Sequence, residues 1–287
     1  MRIGAVNFLN SKPLVYGLER LAPHVRLSFD LPCRLADSLA ANRYDVALIP
    51  CVEYFRNPGY SIVSDACVSC RGPVRSVKLY FRVPPREVRR LALDESSRTS
   101  AALAQILLAE LCDVSPRNES LPIGRGFADS DADAVLVIGD RAIQSPEPSL
   151  RQTCESLAAS DEASDDDIIE VWDLGESWCK WTGLPFVFAM WIARPGVDTG
   201  EAAALLAAAR DEGVRHLAEI AAVEALPLGI SCELALDYLQ SNLHFTLGHR
   251  ERAGLTRYYQ LCVERGLALP DLEHTIEICN ANGCSSH

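Results

Sequence analysis

The sequence predicts an α/β protein whose chain forms two lobes with a ligand cleft between them. Strand and helix signals alternate through the first ninety residues, which is typical of parallel strands joined by helical crossovers. A second strand–helix series begins after Pro84-Pro85, and the apolar run at residues 186–192 can return the chain to the first lobe. We therefore expect two crossover segments, with residues 1–85 and 190–287 in lobe 1 and residues 86–189 in lobe 2.

The individual elements follow from the spacing of apolar residues. Runs rich in branched and aromatic residues predict strands at residues 3–9, 25–29, 45–50, 76–82, 91–93, 134–138 and 186–192. Apolar residues at helical spacing predict helices at 13–20, 33–42 and 101–111. Beyond residue 199 we predict helices only, at 200–210, 214–223, 231–241 and 250–265, with no further strand.

The composition is typical of a globular protein and argues against several kinds of partner. Hydrophobic residues make up 48% of the 287 residues, enough to fill the cores of two lobes. The formal net charge of −12 argues against nucleic acid, because phosphate binding needs a concentrated basic face. We find no export signal and no membrane-length apolar run, so we expect a cytoplasmic protein with no membrane contact. The oligomeric state is left open.

The eleven cysteines do not predict a disulfide framework or a metal site. Their number is odd, their spacing is irregular, and most fall where a thiol acts as a small core residue. The pair Cys67 and Cys70 would need a second pair to hold zinc, which only Cys279 and Cys284 with His287 could supply. We favour reduced structural thiols and predict no metal. The acidic run at residues 160–167 is interpreted as a solvated loop.

Four polar segments follow predicted strands or begin predicted helices, and closure of two lobes would bring them together. They are Asn10-Ser11, residues 72–76, residues 97–100 and residues 182–185. Ligands of open α/β sheets bind at the carboxyl ends of strands, so these segments are candidates for a site. The alternatives are a simple turn before Pro13 for the first segment and a loop end for Ser76.

Residues 97–100 are the candidate anion site, because hydroxyls and backbone N–H groups at a helix start bind anions. The same residues could instead form a plain helix cap, and Arg98 could simply face solvent. Asp140 is the best-placed carboxylate, although it could equally cap the next helix. The histidines offer no obvious base, and we find no phosphate-binding loop or dinucleotide motif.

Taken together, the segments resemble the MqnA family, the chorismate dehydratases of the futalosine route to menaquinone. The resemblance rests on VNFLNSKPL at residues 6–14, RGPVRSV at 71–77, SRTS at 97–100, DAVLVIGD at 133–140 and TGLPFVFAMW at 182–191. It covers nearly the whole chain. The sister family, a dihydroxynaphthoate synthase, relies on a second-lobe histidine, whereas this chain has no histidine between His24 and His216.

The resemblance implies the two-lobed fold of type 2 periplasmic binding proteins and the loss of water from chorismate to give 3-[(1-carboxyvinyl)oxy]benzoate, without a cofactor. It implies Asn10 and Ser76 as the active-site pair. The residues that we expect to bind substrate are Ser11, Gly72, Arg98, Thr99, Ser100, Asp140, Thr182 and Gly183. The alternative is a cytoplasmic solute-binding protein that holds a small carboxylate without changing it.

The elimination requires a base, and the polar segments offer amides and hydroxyls but no side chain that accepts protons at neutral pH. Our hypothesis is that the enolpyruvyl carboxylate of the substrate takes the proton. Asn10 and Ser76 would orient the substrate and assist the departing hydroxyl.

Overall fold

A computed structural model describes residues 1–144 and 168–270 of the chain. The acidic run at residues 160–167 and the tail residues Cys279, Cys284 and His287 lie outside the described residues. Two β-sheets organise the described part, one of six strands and one of five. We call them the first sheet and the second sheet.

The elements alternate along the chain much as the sequence predicts. The first seventy residues form β1 (Arg2–Val6), a 3-10 turn (Leu9–Ser11), α1 (Lys12–Val15), α2 (Leu18–Leu21), β2 (Arg26–Asp30), α3 (Pro32–Ala40), β3 (Val46–Pro50), α4 (Val52–Arg56) and β4 (Ser61–Cys70). Next come β5 (Val77–Phe81), a 3-10 turn (Pro85–Glu87), β6 (Arg90–Asp94), α5 (Arg98–Cys112), β7 (Arg117–Leu121), a 3-10 turn (Phe127–Asp129), β8 (Ala134–Ile138) and α6 (Asp140–Gln144).

The remaining described residues complete the second sheet with β9 and then return to the first sheet. They form β9 (Glu170–Asp173), α7 (Leu174–Thr182), β10 (Phe186–Ala193), α8 (Gly200–Arg215), α9 (Leu217–Leu228), α10 (Cys232–Asp237), a π-helical turn (Tyr238–Asn242), β11 (His244–Thr246) and α11 (His249–Glu264). Among the described helices, none is both long and apolar enough to span a bilayer.

Both sheets are mixed, with a parallel part built from strand–helix units. The first sheet has the order β11-β4-β10-β3-β1-β2, in which β3, β1 and β2 are parallel and β10 is antiparallel to its neighbours. The second sheet has the order β7-β6-β8-β5-β9, in which β7, β6 and β8 are parallel. Helices connect β1 to β2, β2 to β3 and β6 to β7, because a connection between parallel strands must cross over the sheet.

The chain changes sheets earlier than the predicted boundary at residue 85. β5 was expected in lobe 1, but it pairs with β8 and β9 in the second sheet, so the first crossing lies between Cys70 and Val77. The whole of β10 pairs in the first sheet, whereas the predicted boundary at residue 190 divides it. Pro84-Pro85 only ends β5 and leads into a 3-10 turn within the second-sheet part of the chain.

Two further differences concern strands with weak sequence signals. The expectation of helices only beyond residue 199 is wrong, because β11 adds a short edge strand to β4. β4 itself falls where we predicted no strand, since Ser61, Ser64, Asp65 and Ser69 interrupt its apolar residues. Both strands depend on pairing between distant parts of the chain, which local patterns do not report.

Candidate active site

A pocket of about 550 Å³, including its open mouth, lies between the two sheets. Its size is within the range of roughly 300–1,000 Å³ that is usual for small-molecule sites. Residues from the parts of the chain that form each of the two sheets line it. The lining residues are Val6, Phe8, Asn10, Pro32, Pro50, Val68, Val74, Ser76, Val77, Ser97, Thr99, Ser100, Ile138, Gly139, Phe188 and Ala189. None of these described lining residues carries an ionisable side chain.

Asn10 reaches the pocket from the turn that follows β1. The Ser11 hydroxyl contacts the carbonyl oxygen of Val6 and donates to that of Phe8 at 2.8 Å, which closes the turn. Pro13 then fixes the first turn of α1. Ser11 is therefore fully buried and absent from the pocket lining, so the structure gives it the role of holding Asn10 in place.

Ser76 lies at the end of the first crossing, where several backbone bonds fix it. The Asp173 carboxylate accepts hydrogen bonds from the N–H groups of Val74 at 3.0 Å and Arg75 at 2.6 Å. The Ser76 carbonyl accepts from the Gly139 N–H at 2.9 Å. The Ser76 side chain is 1% exposed, and its Oγ accepts a hydrogen bond from the Tyr238 hydroxyl at 2.8 Å.

The start of α5 forms another wall of the pocket. Ser97, Thr99 and Ser100 line the pocket, and Ser97 makes no side-chain capping bond to its own helix. The Thr99 hydroxyl accepts from the Val52 N–H at 3.3 Å, so the helix start is docked against α4. Helix geometry leaves the first N–H groups of α5 without partners in the helix, and the helix dipole favours negative charge there.

Asp140, at the start of α6, lies in a hollow next to the pocket and links α6 to the turn after β1. Its Oδ1 accepts a hydrogen bond from the Leu9 N–H at 3.0 Å, in the turn that carries Asn10. Burial raises the pKa of Asp140 to about 6, while the Leu9 N–H and Lys12 act in the opposite direction. Asp140 lines the hollow beside the pocket, together with Phe8 and Arg141. Its position supports a structural bridge more directly than contact with a ligand in the main pocket.

The other predicted binding residues are not brought to the pocket. Arg98 points towards α3 and α4, where it pairs with Asp37 at 2.6 Å and with Glu53 at 3.3 Å. Gly72 lies in the first crossing, against α7: a side-chain carbon added at Gly175 would come within 2.9 Å of its carbonyl oxygen.

Thr182 and Gly183 lie at the C-terminal end of α7, where they cap the helix. The Thr182 hydroxyl donates to the Trp178 carbonyl at 2.8 Å and accepts from the Leu184 N–H at 3.1 Å. Gly183 adopts the left-handed conformation, with φ +71°, that closes a helix C-terminus. Neither residue lines the pocket.

The cysteines of the described residues form no disulfide bond, and none of them lines the pocket. Cys67 and Cys70 are fully buried, and burial raises the pKa of Cys67 to about 12. Cys262 is buried, whereas Cys232 at the start of α10 is exposed. Among the described residues, no three histidine, cysteine or acidic side chains form a cluster suited to a metal ion.

The sequence reasoning missed the aromatic side chains around the site. Phe8 and Phe188 line the pocket, and Tyr238 contacts Ser76 from the π-helical turn. Phe8 directly precedes the polar turn that carries Asn10, and Phe188 lies in the strand that follows the polar segment 182–185, so the sequence contains a usable signal for both. Tyr238 gave no such signal, because an aromatic residue at helical spacing is typical of a core position.

A family model described as menaquinone biosynthesis matches residues 1–264. The chain belongs to this menaquinone-biosynthesis family. A protein of Thermus thermophilus named chorismate dehydratase is 31% identical over 258 residues, which cover 89% of this chain and 93% of that protein. The resemblance to the MqnA family predicted from the sequence is thus confirmed at the level of the family.

Solved structures of this fold confirm the predicted architecture. Protein AF1704 of Archaeoglobus fulgidus superposes with a TM-score of 0.69 at 16% identity, covering 93% of this chain and 97% of that chain. The periplasmic aliphatic sulphonate binding protein SsuA of Escherichia coli superposes with a TM-score of 0.59 at 13% identity, covering 93% and 88%. The menaquinone-biosynthesis chain therefore has the two-lobed α/β fold of periplasmic binding proteins. At these identities the superpositions describe the fold alone.

Proposed function

We propose that this chain removes water from chorismate to give 3-[(1-carboxyvinyl)oxy]benzoate. Membership of the menaquinone-biosynthesis family and the relative named chorismate dehydratase support this reaction. The structural observation that carries the proposal is a single pocket that contains Asn10, Ser76 and the start of α5. A small ring acid fits its largely apolar walls and few polar groups.

The pocket can bind a doubly negative substrate although none of its described lining residues is a lysine or an arginine. The first-turn N–H groups of α5 and the Ser97 and Ser100 hydroxyls can donate hydrogen bonds to one carboxylate of the substrate. Apolar residues such as Val68, Val74 and Phe188 surround the space for the ring. Hydrogen bonds to a charged group are stronger in apolar surroundings.

The elimination breaks a C–H bond and a C–O bond on neighbouring ring carbons. The proton leaves the carbon that carries the enol ether, and its bonding electrons form the new double bond that completes the aromatic ring. The hydroxyl leaves the adjacent carbon with the electrons of its C–O bond. The abstracted proton and the hydroxide together make one water molecule, so the reaction balances without an added reagent.

The absence of an ionisable side chain from the described pocket lining supports the substrate carboxylate as the base. In this mechanism Asn10 orients the enolpyruvyl group, and the Ser76 hydroxyl donates a hydrogen bond to the departing hydroxyl. Holding reacting groups in the correct geometry can lower a barrier by roughly 7–11 kcal/mol. The gain in aromatic stability drives the step forward.

The reaction is tested by incubating purified protein with chorismate and following ultraviolet absorbance and product mass. We expect a new aromatic absorbance and a product lighter than chorismate by one water. Recovery of unchanged chorismate from saturated protein would reject the dehydration and favour the alternative of a solute-binding protein.

The futalosine route and a cytoplasmic location belong to the same proposal. A producing strain without this gene should lose menaquinone and regain it when 3-[(1-carboxyvinyl)oxy]benzoate is supplied. The protein should be found in the cytoplasmic fraction of the same cells. Failure of the supplied product to restore menaquinone would place the chain elsewhere in the biosynthesis.

A further inference from the structure

Tyr238 contacts Ser76 of the predicted active-site pair although it lies outside the pocket lining. Its hydroxyl donates to Ser76 Oγ at 2.8 Å. The tyrosine is fully buried. It belongs to the π-helical turn Tyr238–Asn242, which follows α10 and is 162 residues from Ser76 in the chain. Single π-helical turns inside helices occur frequently at functional sites.

Neighbouring residues hold this turn against the segment that carries Ser76. Asn242 Nδ2 donates to the Pro73 carbonyl at 2.9 Å, and Arg75 pairs with Asp237 at 2.9 Å. Both contacts lie close in sequence to the bond between Tyr238 and Ser76. The end of α10 and the π-helical turn are therefore attached to the first crossing by three contacts, which fixes the position of the tyrosine hydroxyl.

The direction of the hydrogen bond limits what the Ser76 hydroxyl can do. A serine hydroxyl has one proton to donate and two lone pairs that accept. One lone pair of Ser76 receives the Tyr238 proton, so the serine proton must point elsewhere. Ser76 lines the pocket, and the pocket is where a departing hydroxyl would lie. Burial raises the pKa of Tyr238, so the phenol keeps the proton that it donates in this bond.

We propose that Tyr238 is a positioning residue that turns the Ser76 hydroxyl into the pocket. The inference rests on the proposed dehydration and adds to it a residue that acts through Ser76. Tyr238 itself touches no reacting atom. Its loss should slow the chemical step more than it weakens substrate binding.

The test compares Tyr238→Phe with wild type, measuring kcat and KM for chorismate. Phenylalanine keeps the ring and removes only the hydroxyl, so we expect kcat to fall about tenfold or more while KM changes by less than about twofold. Tyr259→Phe is the matched control. Its hydroxyl donates to the Leu269 carbonyl at 3.1 Å, away from the pocket, and this variant should keep both constants.

A double variant separates positioning from a general loss of stability. In Ser76→Ala there is no hydroxyl to orient, so adding Tyr238→Phe should lower kcat much less than it does in wild type. Thermal unfolding of each variant shows the folded fraction at the assay temperature. An equal fall of kcat in both backgrounds would overturn the positioning role, as would a wild-type kcat in folded Tyr238→Phe.

The outcomes distinguish this inference from the proposed function. If wild-type protein leaves chorismate unchanged, the dehydration is wrong and the positioning role falls with it. If wild type turns over chorismate and Tyr238→Phe does so equally well, only the role of Tyr238 is rejected.

Discussion

The start of α5 and the end of α7 have similar sequence signals but different surroundings. Both contain hydroxyl residues beside a chain turn, at Ser97–Ser100 and at Thr182-Gly183. The start of α5 lines the pocket, whereas Thr182 satisfies backbone groups of α7 and its exit turn. A helix start leaves N–H donors for a ligand, and a glycine-capped helix end satisfies its own carbonyls. Helix polarity therefore decides which polar turn is available for binding.

Among the variants that test this comparison, loss of the Ser76 hydroxyl should have the largest effect on activity. We expect Ser76→Ala to lower kcat about 100- to 1,000-fold, because a preorganised donor to the transition state contributes roughly 2.7–4 kcal/mol. Asn10→Ala should behave similarly. Ser69→Ala removes a buried hydroxyl that bonds to the His244 carbonyl outside the pocket and serves as the control. Unchanged rates in both pocket variants would reject the assignment.

The partly buried carboxylate of Asp140, in the hollow beside the pocket, should affect the pH dependence of stability. Burial raises the pKa of Asp140 to about 6 from 3.8, so between these pH values the folded protein binds more protons than the unfolded chain. Stability from this group therefore decreases as pH rises through the window, by at most about 3 kcal/mol.

Asp140→Asn removes this titration and keeps an oxygen for the Leu9 N–H. Relative to wild type, the free energy of unfolding of the variant should increase from pH 4 to pH 7, as measured by urea denaturation. Lys12 and Glu224 are the charged neighbours that modulate the shift. Parallel stability curves for the two proteins would show that Asp140 is not buried as described.

Two glycines with positive φ provide a second comparison between the pocket and the end of α7. Gly139 has φ +78°, and a methyl group there would lie 2.9 Å from the Phe8 ring in the pocket. Gly183 has φ +71° with open space around it. Gly139→Ala should cost about 2–3 kcal/mol of stability and reduce activity, whereas Gly183→Ala should cost only about 1 kcal/mol. Thermal unfolding with activity assays checks both, and equal losses of activity would contradict the contrast.

We expect the smallest effects from removing one hydroxyl at the start of α5 and one at the end of α7. Ser100→Ala should raise KM for chorismate about tenfold, because one hydrogen bond to a charged group is lost. Thr182→Val should leave KM unchanged and lower the free energy of unfolding by about 1 kcal/mol, since it removes the bonds to Trp178 and Leu184. A raised KM in Thr182→Val instead would place the substrate near the end of α7.

The sequence predicts those parts of the fold that depend on local patterns. The apolar strands β1, β3, β8 and β10 and the long helix α5 lie close to their expected positions. The crossing between sheets was misplaced, because Pro84-Pro85 is a conspicuous break while the change of sheet occurs in the segment 71–76. β11 was missed because its three residues are a strand only through their pairing with β4.

In the candidate site, too, local sequence patterns predict some residues and not others. Asn10, Ser76, Thr99 and Ser100 were selected because they follow strands or begin a helix, and the structure brings them to one pocket. Thr182 and Gly183 have the same residue types, but the sequence does not show that a helix end uses them. The contact of Tyr238 with Ser76 spans 162 residues, so no local pattern reports it.

The most direct test of the mechanism uses a chorismate analogue in which the enolpyruvyl carboxylate is replaced by a carboxamide. If the substrate supplies its own base, the analogue should compete with chorismate for the pocket but lose no water. Dehydration of the analogue at a rate similar to that of chorismate would contradict this account and require a base from the protein.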